Sequence, residues 1–244
     1  MNILDAAILG FIQGLTEFLP ISSSGHLVIF QNLLGFAEPQ LLLDVTLHVG
    51  TLLAVVVYFK EDIFKITRQV LAIVIIPTAL IGFFFKGPLE RLFTSVSVVG
   101  VMLLVTGIII GITYFIPSRY TSRMNIDLIT ALLIGTAQGL AIIPGISRSG
   151  ATIACGLLCG LDRELAGRFS FLVAIPAIIG ALLLQLHQQS LTSAPLTSLT
   201  VGFMVSATVG FLCLKILMTM VKKGHLAYFA PYCFIAGAMA LVLF

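Results

Sequence analysis

The sequence predicts an all-α polytopic membrane protein built as an inverted-topology repeat, each half a re-entrant helical hairpin followed by three transmembrane helices. Three observations carry this expectation: an apolar composition with few charges, six long apolar windows, and a polar motif that recurs 125 residues further on. Of the 244 residues, 59% are hydrophobic and 9% charged, which leaves too little polar surface to cover a water-soluble globule. A spanning helix needs roughly 20 mostly apolar residues. Windows at Leu41 to Phe59, Gln69 to Phe85, Val96 to Ile116, Leu165 to Leu186, Leu199 to Val221 and Leu226 to Phe244 meet or approach that length.

Ahead of the first window, Met1 to Leu19 is apolar but carries Asp5 and Glu17 and has no basic leading segment. It therefore reads as a retained helix rather than a cleaved signal peptide. Pro20 cannot continue that helix, and the serines after it are good caps for a second, shorter one. The same pattern returns later in the chain. With a shift of 125 residues, Ala6, Gly10, Gln13, Gly14 and Leu15 fall on Ala131, Gly135, Gln138, Gly139 and Leu140. Ile21, Ser22, Ser24 and Gly25 fall on Ile146, Ser147, Ser149 and Gly150, Ser23 faces Arg148, and Pro20 and Pro144 sit one position apart. This internal duplication divides a single membrane domain into repeat one, 1–116, and repeat two, 126–244. In each copy the short helices around the proline turn form a hairpin that enters and leaves the same face. Three spans, an odd number, follow each hairpin, so the second copy starts on the opposite side of the membrane.

Orientation follows from the basic residues in the connections. One side receives Lys60, Lys65, Arg68, Arg119, Arg123, Arg163, Lys222 and Lys223, the other only Lys86 and Arg91. The richer side is expected to be cytoplasmic. Both termini and the mouth of the first hairpin then lie outside, and the second hairpin enters from the cytoplasm. The formal net charge of +3 is spread over short connections rather than gathered in a stripe, so no nucleic-acid partner is expected. Cys155, Cys159, Cys213 and Cys233 lie in apolar windows, where a thiol behaves as a small hydrophobe. Gly10 with Gly14, and Gly135 with Gly139, make small-xxx-small ridges for close helix packing.

The polar residues beside those glycines are the candidate site. Gln13 and Glu17 share a helix face, with Ser22, Ser23, Ser24 and His26 just past Pro20; Ser147, Arg148, Ser149 and Thr152 occupy the equivalent turn. An ionisable group at mid-membrane costs on the order of 2.5–3.5 kcal/mol on insertion scales and is normally paired or wetted in a functional cavity. If the hairpin tips meet near the midplane, Glu17, His26 and Arg148 converge on one cavity. Two helices starting there would aim their free N–H groups and positive dipole ends into it. Such a pocket suits an anion, and Arg148, whose fork matches phosphate oxygens, sharpens that to a phosphate group. Glu17 would repel a bare phosphate, so it reads as a divalent-cation ligand or a base. Against this stands the plain alternative of serines bonding backbone and a Glu or His satisfied by packing. Their recurrence at symmetric positions favours the site. Asp44 and His48, also four apart, read either as an outer ring around the cavity or as a mutually satisfied pair.

The segments Gln13-Gly14-Leu15-Thr16-Glu17-Phe18-Leu19-Pro20-Ile21-Ser22-Ser23-Ser24-Gly25-His26 and Pro144-Gly145-Ile146-Ser147-Arg148-Ser149-Gly150-Ala151-Thr152 resemble those of the undecaprenyl-diphosphate phosphatases of the bacitracin-resistance type. Leu52 to Val57 and Phe169 to Pro176 extend the likeness over nearly the whole chain. The resemblance implies a phosphatase of the cell inner membrane that acts on a polyprenyl diphosphate lipid at the outer face, recycles the carrier for cell-wall synthesis, and uses a divalent cation, Mg²⁺ or Ca²⁺. It implies Glu17, Ser23, His26 and Arg148 as catalytic residues, Ser23 as nucleophile or phosphate contact and His26 as base or acid. Gln13, Ser22, Ser24, Ser147, Ser149 and Thr152 would bind substrate, and Glu17 would hold the cation. The family's acid-x-x-x-Glu motif admits Glu or Gln first; here it is Gln13, so Glu17 stands alone. Membrane lipids are the expected surroundings, and the oligomeric state is left open, a homodimer among the options.

Two rival readings compete. Ser24-Gly25-His26 mimics the central motif of the histidine-phosphate lipid phosphatases, but the His and Asp that should follow Ser147-Arg148 are Ala154 and Leu158. A lipid-carrier transporter or flippase is the other, since inverted repeats with broken helices are a transporter architecture.

Overall fold

The computed structural model describes residues 2–36, 40–63, 68–93, 95–188 and 195–243. Lys65 and Phe244 lie outside these, as do the side chains of Arg68, Lys86 and Arg91. The chain is all-helical. In order come α1 (Ile3–Phe18), α2 (Ser23–Leu33), α3 (Leu41–Tyr58), α4 (Arg68–Phe84), α5 (Lys86–Leu92), α6 (Val96–Gly111), α7 (Leu128–Leu140), α8 (Arg148–Leu158), α9 (Arg163–Gln188), α10 (Leu196–Lys222) and α11 (Ala230–Leu243), with single 3₁₀ turns at Ile112–Phe115 and Leu226–Phe229.

Local chemistry sets these boundaries. Asn2 caps α1 and forms a reciprocal capping box with Asp5, and the helix stops at Phe18, two residues short of Pro20. Asp127 caps α7 through the N–H of Thr130. Ser22 and Ser147, one repeat apart, cap α2 and α8 by accepting the N–H of Gly25 and of Gly150. At 11 residues each, α2 and α8 extend only about 16 Å, roughly half the hydrocarbon thickness. Since α2 packs back on α1 and α8 on α7, both are hairpins that turn inside the protein.

Among the described residues, four helical stretches are long and apolar enough to cross a membrane: Val96–Phe115, Arg163–Leu183, Leu196–Lys222 and Leu226–Leu243. The apolar helices of α3 and α4 are slightly shorter, and these six occupy the six apolar windows of the sequence. Large apolar side chains such as Leu4, Phe83, Phe84, Leu183 and Val242 stand on the outer surface, where acyl chains replace water as their surroundings. Two prolines remain inside helices, Pro77 in α4 and Pro176 in α9, as membrane helices tolerate where neighbours satisfy the backbone freed by the missing N–H.

Equivalent elements pack on equivalent elements. α1 lies along α10 and α7 along α4, while α6 lies along α11 and α3 along α9. The glycine ridges make the first two crossings. A Cβ added at Gly10 would sit 2.7 Å from the Gly202 carbonyl oxygen, and one at Gly14 2.8 Å from that of Ser206. At the matching place in the other half, a Cβ at Gly135 would lie 2.5 Å from the Val74 carbonyl oxygen. Only a residue without a side chain lets the backbones approach this closely.

At one end of the bundle an ionic layer ties the elements together. Arg168 bridges Asp62 at 3.3 Å and Glu164 at 3.2 Å, and Lys222 reaches Glu164 at 2.7 Å. Arg163 lies against Gly224, and the backbone of Arg123 pairs with that of Gly160 and Asp162.

Candidate active site

The two hairpin tips interlock. A Cβ on Gly25 would touch the Cα of Gly145 at 3.1 Å, and one on Gly150 would touch the Cβ of Pro20 at 3.2 Å; with the shift of 125 these two contacts are the same contact seen from each repeat. Gly145 turns with φ +97, a conformation that favours glycine. Each tip is also held by the third span of the opposite repeat. Thr106 of α6 donates its hydroxyl to the carbonyl of Gly145 at 2.8 Å, and Cys233 of α11 puts its thiol 3.6 Å from the carbonyl of Pro20. Thr106 also accepts the N–H of Ser147 at 3.0 Å.

At this junction three sequence-predicted residues meet on the carboxylate of a fourth. Glu17, 7% exposed, receives Arg148 Nη2 on Oε1 at 2.8 Å. On Oε2 it receives the hydroxyl of Ser23 at 2.5 Å and Nε2 of Gln13 at 3.1 Å. Ser23 and Arg148 occupy the same position in the two repeats, each the first residue of its helix, so both turns address Glu17. Two of these partners are not saturated. Gln13 Oε1 and Arg148 Nη1 are buried and have no hydrogen-bond partner. A buried acceptor and a buried cationic donor left open on either side of a carboxylate are costly to maintain, and a ligand carrying both a cation and phosphate oxygens would satisfy both.

The other predicted residues take different places. His26 is buried; its ring bonds the Ser22 carbonyl through Nδ1 at 2.7 Å and the Tyr232 hydroxyl through Nε2 at 2.7 Å. Ser22 holds φ +70, the only non-glycine with positive φ among the described residues, a strained conformation of the sort that gathers at functional sites. Its hydroxyl lies 3.3 Å from that of Ser24, and in the second turn Ser147 lies 3.2 Å from Ser149. Ser149 further reaches the Leu19 carbonyl at 3.5 Å, across the two tips. Thr152 is one turn into α8, where its hydroxyl bonds the Arg148 carbonyl at 2.8 Å and meets Ser170 of α9 at 2.5 Å.

His48 belongs to the site more directly than its spacing from Asp44 disclosed: Nε2 stands 3.8 Å from Glu17 Oε2. Its Nδ1 bonds the backbone carbonyl of Asp44 at 2.7 Å, while the Asp44 carboxylate takes Gln31 Nε2 at 2.7 Å. The two are thus not a closed pair, and the ring is turned toward Glu17. Sequence reading did not single out Tyr232, Thr106 or Ser170, which reach the site from distant spans.

A sequence model of the family described as "Bacitracin resistance protein BacA" matches residues 6–239. The chain is similar to proteins named undecaprenyl-diphosphatase. It is 44% identical to that of Desulfatibacillum aliphaticivorans, covering 99% of each chain. It is likewise 44% identical to that of Halothermothrix orenii, covering 100% of this chain and 98% of the relative. With that of Carboxydothermus hydrogenoformans the identity is 42%, again over 100% and 98%.

Proposed function

This chain belongs to the bacitracin resistance protein BacA family, and on that premise we infer that it is an undecaprenyl-diphosphate phosphatase. It is an integral membrane hydrolase that converts undecaprenyl diphosphate to undecaprenyl phosphate and inorganic phosphate, returning the lipid carrier to cell-wall synthesis. The transporter reading explains the repeat equally well, but full-length similarity to proteins named as diphosphatases favours hydrolysis. At the level of this chain's own atoms, the observation that supports the reading is Arg148: one arm of its guanidinium is held on Glu17, and the other is buried and open.

In the mechanism that follows, Arg148 Nη1 takes an oxygen of the diphosphate, and the first turns of α2 and α8 add the positive ends of two helix dipoles. Attack at the terminal phosphorus comes from Ser23 or from a water in its place. The Ser23 hydroxyl already donates to Glu17, so Glu17 receives the proton where Ser23 attacks, and His26 is the base where a water attacks. The bond between the terminal phosphorus and the bridging oxygen breaks, and undecaprenyl phosphate leaves. Water attack yields inorganic phosphate at once, whereas attack by Ser23 leaves a phosphoserine whose O–P bond a water then breaks, releasing inorganic phosphate and restoring the hydroxyl. Gln13 holds Glu17 from the side, and Ser22, Ser24, Ser147, Ser149 and Thr152 shape the two turns.

A divalent cation, Mg²⁺ or Ca²⁺, is the expected cofactor, and the donors present suit one. Glu17 Oε2 and the unpartnered Gln13 Oε1 would hold it. No cluster of three His, Cys, Asp or Glu capable of holding a metal occurs among the described residues, so diphosphate oxygens and water would complete the shell, a common arrangement for Mg²⁺. Once bound, it would neutralise charge building on the transferred phosphoryl group.

We place the protein in the inner membrane with both termini outside and the site open to the outer face. The association of Arg123, Arg163, Arg168 and Lys222 at one end of the bundle supports that end as the cytoplasmic one. The exposed apolar flanks give the isoprenoid tail a place to lie while its headgroup reaches the tips. The test is phosphate release from a polyprenyl diphosphate by purified protein in detergent, for wild type, Glu17→Ala and Arg148→Ala, with and without chelator. A transporter releases none. Full, chelator-insensitive turnover by Glu17→Ala would remove the carboxylate and the cation from the mechanism while leaving the enzyme class standing.

A further inference from the structure

His26 is held at both ring nitrogens. Nδ1 faces the Ser22 carbonyl at 2.7 Å, and a carbonyl only accepts, so in the neutral ring Nδ1 carries the hydrogen and Nε2 the lone pair. The group at Nε2 is the phenol of Tyr232, on α11 of the opposite repeat, at 2.7 Å. The two rings also stack, with centroids 5.7 Å apart and 14° between planes. His26 is 4% exposed and Tyr232 45%. The hydroxyl therefore joins a buried imidazole to a residue that reaches the surface of the bundle.

The ionisable groups near this pair are otherwise engaged. α1 and α6 pack on α2; α6 has no charged residue, and Glu17 of α1 is bound by Arg148 and Ser23. Asp44 of α3 receives Gln31 of α2. On α11, the Cys233 thiol is directed to the Pro20 carbonyl. A phenol both donates and accepts. It gives its hydrogen to Nε2 of the neutral ring, and accepts from Nε2–H when the ring is protonated, its own hydrogen then turning away. The pair keeps its bond in either state.

We propose that Tyr232 is a proton relay of the phosphatase: with His26 fixed as the Nδ1–H tautomer by the Ser22 carbonyl, the Tyr232 hydroxyl passes protons between the reacting water and Nε2 of the buried ring. The proposal rests on the reading that His26 takes part in turnover. Where the ring accepts the proton of a water, the water O–H breaks, the phenol oxygen takes that hydrogen as its own passes to Nε2, and Tyr232 ends unchanged.

Tyr232→Phe keeps the stacked ring and removes only the hydroxyl. Steady-state hydrolysis of a polyprenyl diphosphate in detergent is expected to show kcat down about tenfold or more with KM within roughly twofold, the loss of one hydrogen bond to a working group. The melting temperature is expected to fall by no more than a few degrees, the cost of leaving Nε2 without its partner. Adding Tyr232→Phe to His26→Gln is expected to lower the residual rate no further, because the hydroxyl acts through the imidazole. Wild-type kcat in Tyr232→Phe, a change confined to KM, a loss that tracks a larger fall in melting temperature, or additive losses in the double variant would each overturn the proposal. Wild-type turnover by His26→Gln would instead overturn the reading beneath it.

Discussion

Replacing Arg148 by alanine separates two roles that the guanidinium combines. Its Nη2 neutralises Glu17 at 2.8 Å, with the two side chains 16% and 6% exposed. Its Nη1 is buried and free. Deleting one member of a buried ion pair costs about 3–5 kcal/mol, because the remaining charge is left uncompensated. Loss of one charge-assisted hydrogen bond to the substrate accounts for about 1.5–3 kcal/mol, or roughly 10- to 150-fold in kcat/KM. Three variants distinguish the effects by thermal melting and phosphate release in detergent. Arg148→Ala is expected to lose both stability and turnover. The Glu17→Gln/Arg148→Ala double variant removes the stranded charge, so it should regain stability and remain inactive. Arg148→Lys keeps a charge beside Glu17 but lacks the fork, so it should melt near wild type with kcat/KM reduced within the same range. An Arg148→Ala protein with wild-type melting and wild-type kcat/KM, or a double variant less stable than the single, would refute the account of this pair.

Chelator is expected to suppress phosphate release by wild type, and added Mg²⁺ or Ca²⁺ to restore it; restoration by neither removes the cation from the scheme. Gly10→Ala and Gly135→Ala each put a methyl within 2.7 Å or less of a facing carbonyl oxygen, so each should cost about 1–3 kcal/mol as an overpacking change; unaltered melting would show that the crossings are looser than they look. A cysteine placed at the exposed Lys222, in a variant lacking the four native cysteines, is expected to resist a membrane-impermeant thiol reagent in intact cells and react in inverted vesicles. The reverse pattern would turn the protein over in the membrane.

The sequence disclosed the hairpins and the six windows because composition and proline positions encode them locally. Ends were harder. α9 begins at Arg163 rather than Leu165, and α10 runs on to Lys222, since polar first and last turns outside the hydrocarbon are helical without being apolar. α5 falls in a connection containing Gly87 and Pro88, where hydropathy has no signal. Within the site, the repeat located Ser23 and Arg148 on matching turns and spacing placed Glu17 on the Gln13 face, and geometry added that the two turns share that one carboxylate. His26 is different: its spacing placed it beside Ser23, yet its ring answers to Tyr232, 206 positions away. His48 was visible as a polar residue on the Asp44 face, but which way that face turned depended on the packing of α3 against α10, α1 and α9. Pairings over such distances leave no periodic trace.

The exchange of tips between halves has a consequence for biosynthesis. Repeat one emerges from the ribosome with Glu17 facing no guanidinium and with the Pro20 turn ungripped by α11. Nothing in that half can complete the proposed phosphate site until Arg148 and then Cys233 and Tyr232 have been translated and threaded into the bilayer. Chains stalled partway through synthesis would therefore be catalytically silent, and separately expressed halves should gain activity only when they meet.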